Sequence, residues 1–236
     1  MRIIPYRYII SSAAERSFRN AKVMVIMMKN ILLIGDSIRI GYDKAVKKTL
    51  DGIANVYFPE ENTRFASYVL RYLHEYKNLV PGGHVDVLHW NAGLWDCLRL
   101  FGEDVHTPVE IYAYYIDRIC ARIQKLFPET KVIFATSTAV QSEKMSADFK
   151  RYNEEIEAYN AAAVEIVTKY GFAVNDLYAV SASLPDAAHS DPVHYYTPIG
   201  TEAFTNQVLS YIASAAELTD IPSYREALHT DKPIGI

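Results

Sequence analysis

Residues 30–37 read Asn-Ile-Leu-Leu-Ile-Gly-Asp-Ser. Ile31, Leu32, Leu33 and Ile34 follow one another without the polar alternation of a strand that has one wet face, and the run stops at Gly35. This pattern predicts a central strand buried on both faces and closed by a tight loop. Downstream, short apolar runs alternate with longer amphipathic ones. Further strands are expected at 55–58 (stopped by Pro59), 85–90, 131–137 and 172–175, with helices at 42–50, 65–76, 108–127, 149–170 and 198–212. Gly171 stands where the fourth of these helices needs a left-handed cap. Strands and helices in this alternation join as parallel βα units. The fold class is therefore α/β, a three-layer α/β/α sandwich around a flavodoxin-like five-stranded parallel sheet. In such sheets ligands bind beyond the carboxyl ends of the strands, so chemistry is expected on the loops that follow them.

Half of the 236 residues are hydrophobic and 22% are charged, which suffices for one domain with a sizeable core. That domain is expected over residues 29–214, followed by a C-terminal tail over 215–236. A net charge of −4 argues against a nucleic-acid partner, which calls for a basic stripe or patch. Within residues 1–28, Arg2, Arg7, Arg16, Arg19 and Lys22 interrupt the apolar positions too often for a membrane span or an export signal. The expectation is an N-terminal extension that is not native, with the biological start near Met27 and Met28, no membrane partner and a cytoplasmic location. Cys97 and Cys120 lack the spacing of metal ligands or of a disulfide framework. Both read as buried thiols, and neither a metal nor an organic cofactor is expected.

Two motifs carry chemistry. Gly35-Asp36-Ser37 follows the first strand directly, where a serine hydroxyl on a tight turn stands at the carboxyl edge of the sheet. At a helix start the same serine also fits an N-cap, so the motif alone is weak. Ser190-Asp191-Pro192-Val193-His194 lies just before the last helix. A histidine there activates a serine once a carboxylate fixes its tautomer, and Asp191, three residues away, can supply that carboxylate. Asp186-Ala187-Ala188-His189 is a decoy of identical spacing. Position separates the two, because Thr197 as N-cap and Pro198 at the first helical position pin the loop of His194 and not that of His189.

A Gly-Asp-Ser after the first strand, a Gly-x-x-Asp block after the third and an Asp-x-x-His before the final helix, spread in order over residues 30–212, resemble the SGNH or GDSL-like hydrolase family. The resemblance implies a serine esterase with Ser37 as nucleophile and Asp191 and His194 as its partners. It also implies an oxyanion hole built from the serine's own N–H, a glycine N–H after the second strand and an asparagine side chain after the third. Two of these positions depart from the pattern. Aligning Gly93 and Asp96 with the family's Gly-x-Asn-Asp puts Trp95 where the asparagine belongs, and the loop Pro59-Glu60-Glu61-Asn62-Thr63-Arg64 has no glycine. Asn91, two residues before Gly93, either reaches the pocket or ties down the strand end. Asn62 or Thr63 is left to supply the missing backbone N–H. Losing one donor costs on the order of 10²–10³ in turnover, so the departures weaken an esterase without abolishing it.

Other side chains have two readings each. Arg64 either meets an anionic substrate or is a solvated group in the first turn of a helix. Trp90 and Trp95 flank the third strand's end and either stack on a sugar ring or belong to the core. The resemblance implies an ester substrate, and the aromatics near the third block favour a small acyl group, such as acetyl, on a carbohydrate. A lipase or thioesterase of the same family, a non-catalytic module that captures acylated glycans, and a flavodoxin-like nucleotide binder are the alternatives. The last lacks a Gly-x-Gly-x-x-Gly or a P-loop lysine.

Overall fold

Ile31 to Ile34 are fully buried in the computed structural model, which describes residues 28–229. The expected N-terminal extension, apart from Met28, and the last seven residues of the tail lie outside the described residues. In chain order the strands are β1 (Lys29–Ile34), β2 (Ala54–Tyr57), β3 (Val87–Trp90), β4 (Arg99–Leu100), β5 (Lys131–Ala135), β6 (Phe149–Lys150) and β7 (Ala173–Asn175). The helices are α1 (Ser37–Ile40), α2 (Asp43–Thr49), α3 (Ala66–Lys77), α4 (Val109–Leu126), α5 (Asn153–Lys169), α6 (Leu177–Ala182), α7 (Pro198–Ala216) and α8 (Tyr224–His229).

Five strands form one parallel sheet in the order β2-β1-β3-β5-β7. Strand β1 pairs with β2 on one side and β3 on the other, with Ile31 opposite both Val56 and Val87. Helices cover both faces: α3, α4 and α5 pack in a row on one, while α7 lies against β3, β5 and β7 on the other and meets α2 and α8. Two covered faces explain the unbroken apolar run of β1. Because the chain leaves β1 toward β2 and returns to the opposite side of β1 as β3, the crevice opens at the carboxyl ends of these two strands. Residues 35–37 and 91–96 therefore flank it. Among the described residues, no helix is long and apolar enough to cross a membrane.

One expected helix start is wrong. Phe149 and Lys150 are not helical but pair antiparallel with Leu100 and Arg99 as a separate two-stranded sheet. Arg151 then turns inward, its Nε donating to the Leu94 carbonyl, and α5 starts only at Asn153. The Asn153 carboxamide bonds both the N–H and the carbonyl of Val140, so a distant loop sets this helix start. Helix α6, capped by the Asp176 carboxylate on Ala179 N–H, is an addition to the expected set. At the other end of α5, Gly171 takes the expected left-handed conformation, with φ of 74°.

Candidate active site

The turn after β1 is held from below. Asp36 is fully buried and caps α1, its Oδ1 accepting the Ile38 N–H at 2.9 Å. Ser37 is thus the first residue of α1, and no acceptor among the described residues takes its N–H. Gly35 is glycine because of crowding. A Cβ there would sit 1.9 Å from Oδ1 of Asn91 and 2.8 Å from Cβ of Arg39. Burial pushes the Asp36 carboxyl above its usual range, against the pull of the Asn91 amide, the Ile38 N–H, the Arg151 guanidinium and His194. Asn91 itself is buried, with its N–H on the Ile34 carbonyl. Its carboxamide lies under the turn that carries Ser37.

Arg39 joins this turn to the loop after β2. Its buried guanidinium pairs with Asp43 and donates to the Glu61 carbonyl at 2.6 Å and to the Gly35 carbonyl at 3.4 Å. Thr63 N–H also donates to Gly35, at 3.2 Å, which spends one of the two candidate backbone donors. The Asn62 side chain accepts the Arg64 N–H at 2.8 Å, closing an Asx turn that holds Arg64 at a φ of 48°. Among the described residues, Asn62's own N–H is bonded to no acceptor. Tyr68 and Tyr76 fix the Glu61 carboxylate with their hydroxyls, and the Arg64 guanidinium lies over the Tyr68 ring. This loop keeps its shape through side-chain bonds rather than through a glycine.

The block after β3 is built by one close approach and one buried hydrogen bond. Gly93 has a φ of 146°, and a Cβ on it would fall 2.5 Å from the Ser137 Oγ. Asp96 caps α3 by accepting the Ala66 N–H at 3.0 Å. Burial pushes the Asp96 carboxyl up to about 7, although the Ala66 N–H and Thr107 oppose it. Trp95 is half-buried, and neither it nor Arg64 is hydrogen-bonded to Ser37, Asp191 or His194. Trp90 is core, packed edge to face on Phe134.

The segment before α7 comes to Ser37 from the other side. His194 Nε2 lies 2.8 Å from the Ser37 Oγ, and His194 Nδ1 lies 2.8 Å from Oδ2 and 3.0 Å from Oδ1 of Asp191. Asp191 Oδ1 also accepts the N–H groups of Val193 and His194, at 2.8 and 2.9 Å. Burial works to raise the Asp191 pKa, but these two N–H groups and the imidazole leave it below the usual carboxylate range. An ionised Asp191 that accepts the hydrogen bond of Nδ1–H holds the proton on Nδ1 and leaves the Nε2 lone pair facing the serine hydroxyl. His189 is elsewhere: its ring lies tilted against Tyr195, with centroids 4.1 Å apart, and burial holds its pKa down.

Residues that sequence reasoning missed hold this segment in place. Asn160 bonds both N–H and carbonyl of Ser137, and Asn153 does the same for Val140, which fixes residues 137–140 against α5. That loop in turn accepts the Tyr195 hydroxyl on the Ala139 carbonyl at 3.0 Å and gives the Gln141 N–H to Pro192 at 2.8 Å. Thr197 caps α7 through the Gly200 N–H, with Pro198 at the first helical position. Tyr196 stacks on the His194 ring at 4.8 Å and donates its hydroxyl to the Ser37 carbonyl at 2.6 Å. Its place two residues after His194 was the one available signal.

Solved structures share this architecture. The chain superposes on a lipase/acylhydrolase from Enterococcus faecalis with a TM-score of 0.64 and 20% identity, covering 79% of this chain and 96% of that one. An acetyl xylan esterase gives 0.61 at 16% identity, over 78% and 99% of the two chains. A GDSL-like lipase from Bacteroides thetaiotaomicron gives 0.60 at 14%, over 86% and 98%. The chain has the fold of the SGNH, or GDSL-like, hydrolases. No family model and no curated protein matches its sequence.

Proposed function

We propose that this protein is a serine carboxylic ester hydrolase with Ser37, His194 and Asp191 as its catalytic triad. The observation that carries the reading is the unbroken chain from Ser37 Oγ to His194 Nε2 and from His194 Nδ1 to the Asp191 carboxylate, both at 2.8 Å, at the carboxyl edge of the sheet. Ser37 Oγ attacks the ester carbonyl while His194 Nε2 takes its proton, and Asp191 stabilises the imidazolium. The tetrahedral oxyanion is held by the N–H of Ser37 and, in place of the absent glycine, by the N–H of Asn62. Collapse passes the proton from His194 to the leaving alcohol. Water then attacks the acyl carbonyl while the same imidazole takes its proton, and that proton passes to Ser37 Oγ as the acyl–oxygen bond breaks and the acid leaves.

Asn91 serves this site as the tie beneath the nucleophile turn, and Gly93 by letting its loop close on Ser137. Trp95, in the block after β3 that flanks the crevice, and Arg64, on the loop after β2 that is bonded to the Ser37 turn through Arg39 and Gly35, are assigned to the substrate. The substrate class is a small acyl ester, acetyl above all, on a carbohydrate. The half-buried Trp95 supports that class, as does the likeness to an acetyl xylan esterase. The test is hydrolysis of p-nitrophenyl acetate and of longer acyl esters by the wild type, Ser37→Ala, His194→Ala and His189→Ala. Loss in the first two variants, by at least about 10³-fold, with retention in the third is the expected result. A wild type that neither turns over nor takes a fluorophosphonate on Ser37 rejects hydrolysis and leaves a module that only binds its glycan.

A further inference from the structure

We propose that Tyr196 is a positioning residue that locks the base to the nucleophile, its hydroxyl holding the Ser37 carbonyl and its ring holding the plane of His194. The inference rests on the hydrolase reading above for its kinetic part and on geometry alone for the rest. Three observations carry it.

The first is the hydrogen bond from the Tyr196 hydroxyl to the Ser37 carbonyl, at 2.6 Å between residues 159 positions apart. Burial pushes this phenol up to about 12, so it remains a donor throughout the range in which an esterase is assayed. The second is the stack on His194, with centroids 4.8 Å apart and planes within 25°. The segment alternates: Tyr195 turns into the core against Phe204, while His194 and Tyr196 share the outer side.

The third observation is Gly41. Its φ of −67° and ψ of −20° are ordinary right-handed helical values that any residue adopts. Yet a Cβ there would fall 2.8 and 2.9 Å from Cε1 and Cδ1 of Tyr196. Its backbone does not require glycine, but the Tyr196 ring does. The end of α1 is shaped to receive that ring.

A clamp matters because the His194 side chain is 27% exposed, so part of its surface meets solvent and not the core. Asp191 fixes one edge of the ring through Nδ1. The face of the ring is fixed by Tyr196. Because Tyr196 also touches the backbone of Ser37, any shift of the base drags the nucleophile turn with it.

The experiment combines kinetics with a readout independent of turnover. Tyr196→Phe keeps the ring and drops the hydroxyl, and its kcat is expected to fall about fivefold, the scale of one neutral hydrogen bond. Tyr196→Ala drops both and is expected to fall about 10²-fold, the cost of a reacting group misplaced by about 1 Å, with KM changed less than about twofold. Gly41→Ala should resemble Tyr196→Ala, while Gly41→Ala in the Tyr196→Ala background should cost nothing further, since the ring it displaces is gone. In parallel, the downfield proton resonance of His194 Nδ1–H is recorded for each variant. It should persist in Tyr196→Phe and broaden in Tyr196→Ala and Gly41→Ala, at unchanged melting temperature.

Additive losses for Gly41 and Tyr196, or a resonance unchanged in Tyr196→Ala, overturn the proposal. An inactive wild type that still shows this pattern of resonances sinks the hydrolase reading and leaves the clamp standing.

Discussion

The two halves of the candidate site are built in opposite ways. On what the proposed mechanism makes the nucleophile side, Asp36, Arg39, Asp43 and Asn91 are no more than 2% exposed and lie sealed under the turn that carries Ser37, Arg39 paired with Asp43 and Asp36 with the Asn91 amide. On the side of the proposed base, the His194 and Asp191 side chains are 27% and 45% exposed, and loop-to-loop hydrogen bonds hold their segment. A buried charge that loses its partner is costly to the fold, whereas a solvated side chain that loses one is free to turn. Damage on the first side should therefore register mainly as stability, and damage on the second mainly as rate.

Asp191→Asn is the sharpest test of the second half of that contrast. The carboxamide oxygen can still accept the Val193 and His194 N–H groups, so the loop keeps its shape. Its NH₂ then faces His194 Nδ1 and favours the tautomer with the proton on Nε2, which cannot accept from Ser37. The expected loss in kcat is about 10⁴-fold, with no change in urea midpoint. A clear drop in the midpoint would mean that this side too is structural.

Arg39→Met probes the other half. It strands Asp43 in a buried position and releases the carbonyls of Glu61 and Gly35, and the expected loss is about 3–5 kcal/mol by urea unfolding. The pair Arg39→Met with Asp43→Leu should recover most of that, because no charge is then left buried alone. If the single variant costs about 1 kcal/mol or less, the level of an exposed pair, the nucleophile side is not held as the burial implies.

The same contrast explains what could be read without coordinates. β1 was legible because burial on both faces leaves an unbroken apolar run, and the expected ends of the other sheet strands lie within one or two residues of those observed. The Asp191 and His194 pair was legible because it is local, three residues apart beside a capped helix. Arg39 gave no signal: Gly35 and Asp43 lie four residues to either side of it, but the Glu61 carbonyl is 22 positions away, and nothing in a lone arginine announces burial. Asn153 and Asn160 were hidden for the same reason, since each is defined by a loop more than ten residues away. The failure at Phe149 has this origin too, because two residues of strand are stabilised by pairing with Arg99 and Leu100 and not by any periodicity of their own.

The smallest expected effect tests whether buried carboxyls set the pH response of the whole domain. Asp96 and Asp36 are both fully buried, and burial raises both above their unfolded values, Asp96 to about 7. A folded pKa above the unfolded one means that the folded state binds the proton more tightly. Stability is then greatest below pH 4 as far as these groups are concerned, and it is lost as pH rises toward 7. For Asp96 the slope is at most about 1.4 kcal/mol per pH unit across that window. Asp191 opposes it, since its lowered pKa gives a contribution that is lost as pH falls. Asp96→Asn keeps an acceptor for the Ala66 N–H and removes the titration, so its urea midpoint should fall less between pH 5 and pH 7.5 than that of the wild type. Equal slopes in the two proteins would mean that Asp96 ionises without cost. The cap on α3 would then have to be solvated, and the contrast between a sealed nucleophile side and an open base side would end at Asp36.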